Sequence, residues 1–287
     1  MSAESAAAGT IFVVATPIGN LADLSPRARE VLAHVTLIAA EDTRHTRQLL
    51  QSFGIDTALI SLHEHNEESR SAELIDRVAS GESLAIVSDA GTPLISDPGF
   101  SLIAAARQRG LTVVAIPGPC AAIAAISVAG LPTDRFAFEG FLPAKPAARR
   151  AQLEALAAES RTLIFYEAPH RLPEVLADMA ATLGGERRAT VSRELTKRFE
   201  TTYSGSLTEL AAAAARDENM SRGEIVIVVA GSSVRPDAHT LDATQLLRAL
   251  LDELSPAQAA KIAARVTGVR RAELYEMALR LGGKEKD

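Results

Sequence analysis

Short apolar runs alternate with amphipathic stretches along the first 130 residues. The runs predict five strands, IFVVA (11–15), VTLIAA (35–40), TALIS (57–61), SLAIVS (83–88) and LTVVAIP (111–117). Continuous apolar strands separated by helical stretches are typical of a parallel sheet covered by helices. Ser25 followed by Pro26 predicts a helix start between the first two strands. Residues 10–130 are therefore predicted to form an α/β domain.

The pattern changes after residue 131. Strands are predicted at RFAFEGFL, RTLIFYEA, RRATVSREL, FETTYSG and GEIVIVVAG, and helices at about 146–160, 171–182 and 206–216. Because only TKR separates two of these strands, hairpin-like pairing and a mixed sheet are expected. Residues 131–232 are predicted to form a second α/β domain.

A third pattern follows the polar stretch SSVRPDAHT, which predicts a linker at 233–240. Three short amphipathic segments within 241–287 predict three helices. Ser255 and Pro256 start the second of them, and Gly268 lies in the turn before the third, which is typical of a helix-turn-helix. Residues 1–9 are predicted to be a disordered tail.

The composition narrows the class of protein. The 287 residues are 47% hydrophobic and 23% charged, which indicates folded, globular domains. Cys120 is the single cysteine and the six histidines show no HExxH-like spacing, so neither a disulfide framework nor a metal site is predicted. No run approaches the roughly 18 apolar residues of a membrane span. A cytoplasmic protein without a membrane partner is therefore expected.

The loops that follow the first five strands are rich in Gly, Pro and polar residues. They meet at one sheet edge, where α/β proteins bind ligands. The loop richest in these residues is SDAGTPLISDPG (88–99). Its composition is compatible with three roles, namely a pair of acids, a phosphate-binding loop or a rigid wall of a ligand site. No phosphate-binding motif follows any strand, and Pro93 and Pro98 lack N–H donors, which favours the wall. Asp97 is expected to cap a turn or the next helix.

Five segments, in this order and at these spacings, resemble one known family. They are TPIGNLADLSPRA (16–28), EDTRHT (41–46), SDAGTPLISDPG (88–99), IPGPCA (116–121) and TLIFYEAPHR (162–171). They look like the tetrapyrrole methylase superfamily and, within it, the small-subunit ribosomal RNA methyltransferase I family. The resemblance covers about residues 10–232, and the C-terminal helices resemble that family's helix-turn-helix extension.

The resemblance implies S-adenosyl-L-methionine as cofactor, bound in the cleft between the two α/β domains. It also implies 2′-O-methylation of a cytidine in 16S rRNA by an enzyme that usually forms a homodimer. Carried over by motif, the cofactor-binding positions are Pro17, Asp89, Ala90, Gly91, Ile95, Cys120, Ala121, Tyr166, Glu167, Leu195, Gly223 and Glu224. Thr92 stands where other branches of the superfamily carry an acid, which leaves the role of its hydroxyl open.

A methylated hydroxyl must lose its proton. Glu41, Asp42, His63 and Glu64 lie on loops at the predicted site edge, and the sequence does not choose among them. Cys120 has no histidine in its own motif and is interpreted as a small packed side chain rather than a nucleophile.

The formal charge of −6 argues against nonspecific coating of nucleic acid, so RNA contacts are expected in local basic patches. The candidates are Arg44, Arg47, Lys145, Arg149, Arg150, Lys197, Lys261, Arg270 and Arg271, although such runs are also typical of a solvated surface. Because a buried 2′-hydroxyl must be splayed out to react, the expected partner is 16S rRNA in the assembled small subunit.

Two other functions stay open at this point. One is a methyltransferase of the same fold that acts on a tetrapyrrole or another small molecule. The other is a ligand-sensing regulator that reads DNA with its helix-turn-helix, although the predicted recognition helix, VRRAELYEMAL, has only two basic residues.

Overall fold

The computed structural model describes residues 9–63, 65–233 and 243–282. The predicted tail, except for Gly9, and the linker beyond residue 233 lie outside the described residues. The chain divides into two compact units. The first, Met1–Ala157 with Arg161–Gly231, contains both sheets, and the second, Ala158–Ser160 with Ser232–Asp287, contains the three C-terminal helices.

The first sheet contains the five predicted strands and is parallel throughout. Its strands are β1 (Thr10–Val14), β2 (Leu37–Ala40), β3 (Leu59–Ser61), β4 (Leu84–Val87) and β5 (Thr112–Ile116), in the order β3-β2-β4-β1-β5. One helix follows each strand along the chain, namely α1 (Pro26–His34), α2 (Thr43–Ser52), α3 (Glu67–Ala79), α4 (Phe100–Gln108) and α5 (Ala121–Val128). The predicted parallel α/β architecture is confirmed.

Two helices of this half begin where a side chain can satisfy their free N–H groups. Ser25 Oγ accepts the N–H of Ala28 at 3.0 Å, which confirms the predicted start of α1 at Pro26. Asp42 Oδ1 accepts the N–H of Arg44 at 2.8 Å and caps α2. The carboxylate of Asp42 is therefore already hydrogen-bonded, as the N-cap of α2.

The second sheet is mixed, as predicted. Its strands are β6 (Phe136–Phe141), β7 (Thr162–Glu167), β8 (Arg188–Arg193), β9 (Thr201–Ser206) and β10 (Ile225–Val229), in the order β6-β7-β10-β8-β9. The strands β6 and β7 are parallel, and the other pairs are antiparallel. The helices are α6 (Pro146–Ala155), α7 (Leu172–Leu183) and α8 (Leu207–Ala214), so α6 ends before the predicted residue 160.

The strand β10 is last along the chain but lies in the middle of this sheet. Its first residue, Ile225, pairs with the last residue of β7, Glu167. Because the two strands are antiparallel, the start of β10 lies beside the end of β7. Residues far apart in sequence therefore reach the same end of the sheet.

The C-terminal unit consists of α9 (Ala243–Leu251), α10 (Pro256–Thr267) and α11 (Arg271–Gly282). Its small core is fully buried and consists of Leu247, Ala259, Ala260, Ala263, Leu274 and Ala278. Ser255 and Gln258 form a capping box before α10. Gly268 follows α10 with a φ of +70°, a conformation that glycine adopts at little cost. The three predicted helices are confirmed.

Nowhere in the described residues does the chain form a helix that combines the length and the apolar character needed to cross a bilayer.

A buried ion pair joins α6 to α7. Arg149 is only 2% exposed, and its Nε donates to Asp178 Oδ2 at 2.7 Å. A second nitrogen of the guanidinium lies 3.7 Å from Glu174 Oε2. The neighbouring Arg150 also reaches Asp178, at 3.4 Å, but its side chain is 52% exposed.

Arg149→Ala is expected to lower the free energy of unfolding by about 3–5 kcal/mol, because it leaves the carboxylate of Asp178 without its buried partner. Arg150→Ala is the matched control and is expected to lower it by less than about 1 kcal/mol, because exposed ion pairs contribute little. Urea denaturation of both variants measures the difference. Equal losses would contradict the assignment of the buried pair to Arg149.

Candidate functional site

Two reciprocal hydrogen bonds tie the loop after β1 to the loop after β4. Thr16 N–H donates to Gly91 O at 2.8 Å, and Gly91 N–H donates to Thr16 O at 3.1 Å. Gly91 has a φ of +86°, and a Cβ at this position would lie 3.3 Å from Ile18 Cγ2. The close approach therefore requires glycine.

Thr92, between Gly91 and Pro93, joins the same loop to the one after β5. Thr92 Oγ1 donates to Pro119 O at 3.0 Å. Gly118 lies close to the end of β1, since a Cβ there would meet Ala15 Cβ at 2.9 Å. The hydroxyl of Thr92 thus has a structural role that the sequence left open.

A cavity of about 410 Å³, here called the central cavity, opens beside these loops. From the first sheet it is lined by residues that follow the strands, namely Ile18, Glu41, Asp89, Ala90, Gly91, Thr92, Ile95, Ser96, Asp97, Cys120 and Ala121. From the second sheet it is lined by Phe141, Tyr166, Glu167, Ala168, Pro169, Glu224, Ile225 and Val226. The carboxyl ends of parallel strands and the β7–β10 pairing account for this convergence.

Most of the predicted cofactor-binding positions line the central cavity. They are Asp89, Ala90, Gly91, Ile95, Cys120, Ala121, Tyr166, Glu167 and Glu224. Pro17 lines a neighbouring cavity instead. Leu195 is buried in an apolar cluster with Ile18 and Val226, and Gly223 lies outside the lining. Leu195 therefore packs in the core beside lining residues, whereas Gly223 is exposed and does not line the cavity.

The structure corrects the expectation for Asp97, which was interpreted as a turn or helix cap. Asp97 and Ser96 both line the central cavity, and Gly99 alone stands at the N-cap of α4. Leu94 and Ser96 have φ values of 72° and 66°, in the left-handed region. This backbone turns the second half of the loop back toward the cavity, which the sequence did not indicate.

Acidic side chains cluster at one end of the central cavity. Asp89 Oδ1 accepts the N–H of Asp42 at 3.0 Å and so holds the loop after β2. Burial, together with the charge of Asp89, raises the pKa of Glu41. Burial also raises the pKa of Asp97 to about 6, and Glu41 and Asp89 add to the shift, whereas a hydrogen bond with Ser88 opposes it.

Two of the other three predicted proton acceptors, Asp42 and His63, lie outside the central cavity. The Arg44 guanidinium, hydrogen-bonded to Asp42 at 2.7 Å, holds the pKa of that carboxyl well below its usual range. His63 has its backbone N–H bonded to Asn66 Oδ1, and its Nδ1 is buried without a partner among the described residues. Glu64 lies outside the described residues.

The end of β7 contributes an aromatic wall. The Tyr166 hydroxyl accepts the N–H of Ala122 at 3.1 Å, at the start of α5. Its ring packs edge-on against Phe138 and Phe141, with centroids 4.8 and 5.7 Å away. Burial, and then the nearby Cys120, raise the pKa of Tyr166 above its usual value, so the hydroxyl stays protonated.

Glu167 follows Tyr166 and is 3% exposed. Its Oε1 accepts the N–H of Ala168 at 2.7 Å and lies 3.3 Å from Arg171 Nε. Its Oε2 is buried and has no hydrogen-bond partner among the described residues. Burial raises the pKa of this carboxyl. One oxygen of this buried carboxyl is therefore left without an internal partner.

A second cavity of about 370 Å³, here called the α2 cavity, adjoins the first. It is lined by Pro17, Ile18, Gly19, Leu21, His45, Gln48, Leu49, Ser52, Asp89, Ala90, Lys197 and Glu224. Ile18, Asp89, Ala90 and Glu224 line both cavities. The two cavities thus share one wall.

Lys197 was predicted to bind RNA, but its ammonium group is already paired. It lies 3.0 Å from Glu194 Oε1 and 3.2 Å from Glu224 Oε2. Its stem lies against Gly19, where a Cβ would overlap it. We therefore assign Lys197 to the wall of the α2 cavity.

The remaining basic candidates differ in exposure. Arg149 is buried in its ion pair with Asp178, so it is not available to phosphates. The exposed candidates are Arg44, Arg47, Lys145, Arg150, Lys261, Arg270 and Arg271. Four of these arginines are paired with carboxylates, which reduces their net charge toward a ligand: Arg44 with Asp42, Arg47 with Asp56, Arg150 with Asp178 and Arg270 with Glu273.

Among the residues that the structure describes, no group of three or more His, Cys, Asp or Glu side chains is placed to hold a metal ion.

The chain matches two family models. Residues 10–211 match "Tetrapyrrole (Corrin/Porphyrin) Methylases", and residues 237–282 match "RsmI C-terminal HTH domain". Among similar proteins, the ribosomal RNA small subunit methyltransferase I of Xylella fastidiosa (strain Temecula1) is 57% identical over 93% of this chain and 98% of its own length. The protein of the same name from Pseudomonas aeruginosa is 56% identical over 96% and 99%.

Solved structures share the fold at low sequence identity. A uroporphyrin-III-C-methyltransferase from Thermus thermophilus superposes with a TM-score of 0.55 at 20% identity, covering 77% of this chain and 94% of that one. A complex of uroporphyrin-III C-methyltransferase from the same organism with S-adenosylhomocysteine gives 0.53 at 16%, covering 77% and 97%. These similarities show the tetrapyrrole methylase fold.

Proposed function

The chain belongs to the tetrapyrrole methylase family, within it to the ribosomal RNA small subunit methyltransferase I proteins, and on that premise we propose that it is an S-adenosyl-L-methionine-dependent methyltransferase of 16S rRNA. The proposed acceptor is the 2′-hydroxyl of a cytidine. The central cavity carries the proposal, because the loops of both sheets meet there around one concave space. The similar proteins are named as ribosomal RNA methyltransferases, which disfavours both a small-molecule substrate and a DNA-reading function.

The residues of the central cavity fit the proposed cofactor. The cavity of about 410 Å³ lies in the size range of cofactor sites. Gly91, Ala90 and Ala121 leave room for a ligand to approach the backbone closely. When bound, S-adenosyl-L-methionine supplies an electrophilic methyl group on its sulfonium.

The protein's own contribution is positioning and proton removal. Alignment of two bound reactants is worth about 7–11 kcal/mol, more than a general base usually adds. We assign Asp97 as the base, because it lines the cavity and its pKa of about 6 leaves it deprotonated yet basic near neutral pH. Burial keeps that pKa raised, and the charge of Glu41 adds to the effect. Asp42 and His63 are not in the cavity lining.

The proposed partner is 16S rRNA in the assembled small subunit. The exposed cations Arg47, Lys145, Lys261 and Arg271 support phosphate contacts of the kind that position RNA. The C-terminal helices carry two of them. A cytoplasmic location follows from this partner.

We also propose a homodimer in which α5 is covered by the second copy. Ile123 and Val128 of α5 are 51% and 53% exposed, and Phe136, on the edge strand β6, is 41% exposed. Large apolar side chains left in water beside a sheet edge are typical of subunit interfaces.

Incubation of the protein with labelled S-adenosyl-L-methionine and 30S subunits is expected to label 16S rRNA at a ribose 2′-oxygen of a cytidine, as read by nuclease digestion and mass spectrometry. Uroporphyrinogen is the control substrate and is expected to remain unlabelled. Label on a base or on the tetrapyrrole, or specific binding to duplex DNA without RNA labelling, would contradict the proposed function.

The methylation rate is expected to rise with pH up to about 6 and then to level off, because Asp97 accepts a proton only after it has lost its own. Asp97→Asn is expected to lower the rate by about 10²–10⁴-fold and to remove this dependence. Asp42→Asn is the matched control and should retain it. Persistence of the acid limb in Asp97→Asn and its loss in Glu41→Gln would transfer the role to Glu41.

Ile123→Asp is expected to convert the dimer to a monomer, because it buries an unpaired charge in the proposed interface. Sedimentation velocity measures the change. The control is Ile262→Asp, which alters a similarly exposed side chain of the C-terminal unit. A wild-type protein that sediments as a monomer would refute the dimer.

A further inference from the structure

One aromatic side chain in the lining of the central cavity is exposed to solvent. Phe141, the last residue of β6, lines that cavity and is 55% exposed. By contrast, Ile225 and Val226 at the start of β10 line the same cavity and are buried. Phe141 therefore lies at the mouth of the cavity, and the start of β10 lies deep inside it. Neither the cofactor contacts nor the proton removal proposed above uses this ring.

A β-bulge directs the ring of Phe141 toward the cavity. The pairing of β6 with β7 shifts by one residue between Phe138 and Gly140, and Gly140 has a φ of +65°. Side chains three positions apart in a regular strand point to opposite faces of the sheet. Because the bulge adds one residue, Phe138 and Phe141 share a face instead, and both rings pack against Tyr166.

Tyr166 holds the ring of Phe141 in place. The two rings pack edge-on, and the hydroxyl of Tyr166 is itself fixed by the N–H of Ala122. More than half of Phe141 nevertheless remains in contact with water. A large apolar side chain exposed at a ligand cavity is typical of a binding surface. An aromatic ring that is fixed by a neighbour and largely exposed suits stacking with a flat ligand.

The end of β6 lies against the loop that carries the proposed base. A Cβ on Gly140 would lie 3.4 Å from Ser96 Oγ. Ser96 directly precedes Asp97, and both residues line the central cavity. In a nucleotide, the base is attached to the ribose carbon next to the one that bears the 2′-hydroxyl. A base that stacks on Phe141 therefore brings its own 2′-hydroxyl to the side of the mouth where Asp97 lies.

The charges in the central cavity determine which part of an RNA suits it. The lining includes the carboxyls of Glu41, Asp89, Asp97, Glu167 and Glu224, and the lining residues that the structure describes include no lysine or arginine. A phosphate would meet uncompensated negative charge there. A nucleobase is uncharged near neutral pH, and every base has a π-face that can stack. The cavity mouth therefore suits the base and ribose of a nucleotide.

Resting on the proposed function, we infer that the base of the acceptor nucleotide stacks on Phe141 at the mouth of the central cavity, with its 2′-hydroxyl directed to Asp97. The nucleotide is splayed out of the folded RNA to reach this ring. Because Phe141, Asp97 and the proposed donor share one cavity, no wall separates the reacting groups. Stacking tolerates any base, so the ring supplies affinity and alignment and does not distinguish cytidine from uridine.

The first test removes the ring. Phe141→Ala is expected to lower kcat/KM on 30S subunits by about 10–100-fold, because one stacked base is lost. Phe141→Tyr keeps an aromatic ring and is expected to retain most of the activity. Phe100→Ala is the matched control and should behave as wild type, since Phe100 is 74% exposed, follows the same loop after β4 and does not line the cavity.

The second test uses the fact that the sequence contains no tryptophan. Phe141→Trp introduces a single indole at the mouth of the cavity, and its fluorescence is expected to fall when 30S subunits bind, because a base stacks on it. S-adenosylhomocysteine alone should leave the emission unchanged. Phe100→Trp corrects for absorption by the RNA, and wild-type protein gives the background emission of the subunits.

Calorimetry with S-adenosylhomocysteine and sedimentation velocity complete the comparison. Phe141→Ala is expected to match wild type in both, which also establishes that the variant is folded. Weaker S-adenosylhomocysteine binding would assign the ring to the cofactor, and conversion of a dimer to a monomer would assign it to the subunit interface. Either result overturns the inference.

Full activity of Phe141→Ala, or Phe141→Trp emission that responds to 30S subunits no more than that of Phe100→Trp, would also overturn the inference while leaving the proposed function intact. Failure of the wild-type protein to methylate 30S subunits is a separate result, because it refutes the proposed function and the inference with it.

Discussion

The paired backbone of Thr16 and Gly91 is the contact on which the site depends. It holds the loop after β4 across the end of β1 and thereby creates the wall between two cavities. The same loop has two non-glycine residues, Leu94 and Ser96, in the left-handed region, each at a cost of about 1–3 kcal/mol. Hydrogen bonds at Gly91 and Thr92 offset this cost, so the loop is rigid where a ligand must be positioned.

Buried carboxyls set the electrostatic environment of the central cavity. Burial keeps the pKa values of Glu41, Asp97 and Glu167 above their ordinary range, so these carboxyls lie in an environment that disfavours further negative charge. A site of this kind attracts cations and neutral donors and repels free phosphates. The basic candidates Lys145, Lys261 and Arg271 lie on the exposed surface instead.

The strands, the two sheet types and most of the central cavity could be predicted from the sequence, because continuous apolar runs and motif order record them directly. Burial of Arg149 could not, since its partner Asp178 is 29 residues away and the basic run around it resembles a solvated surface. Asp97 was also missed. A carboxyl between prolines is typical of a turn, and the backbone conformation that directs it inward leaves no trace in the residue pattern.

The central place of β10 in the second sheet determines when that sheet can be completed during synthesis. Chains emerge from the ribosome N-terminus first and domains begin to fold during synthesis, at about 5–20 residues per second. The first sheet needs nothing beyond residue 116, whereas β7 and β8 lack their central partner until Ile225–Val229 has emerged. Since Ile225 and Val226 also line the central cavity, the wall of that cavity is incomplete until β10 has emerged. Ligand binding therefore reports complete synthesis of both sheets.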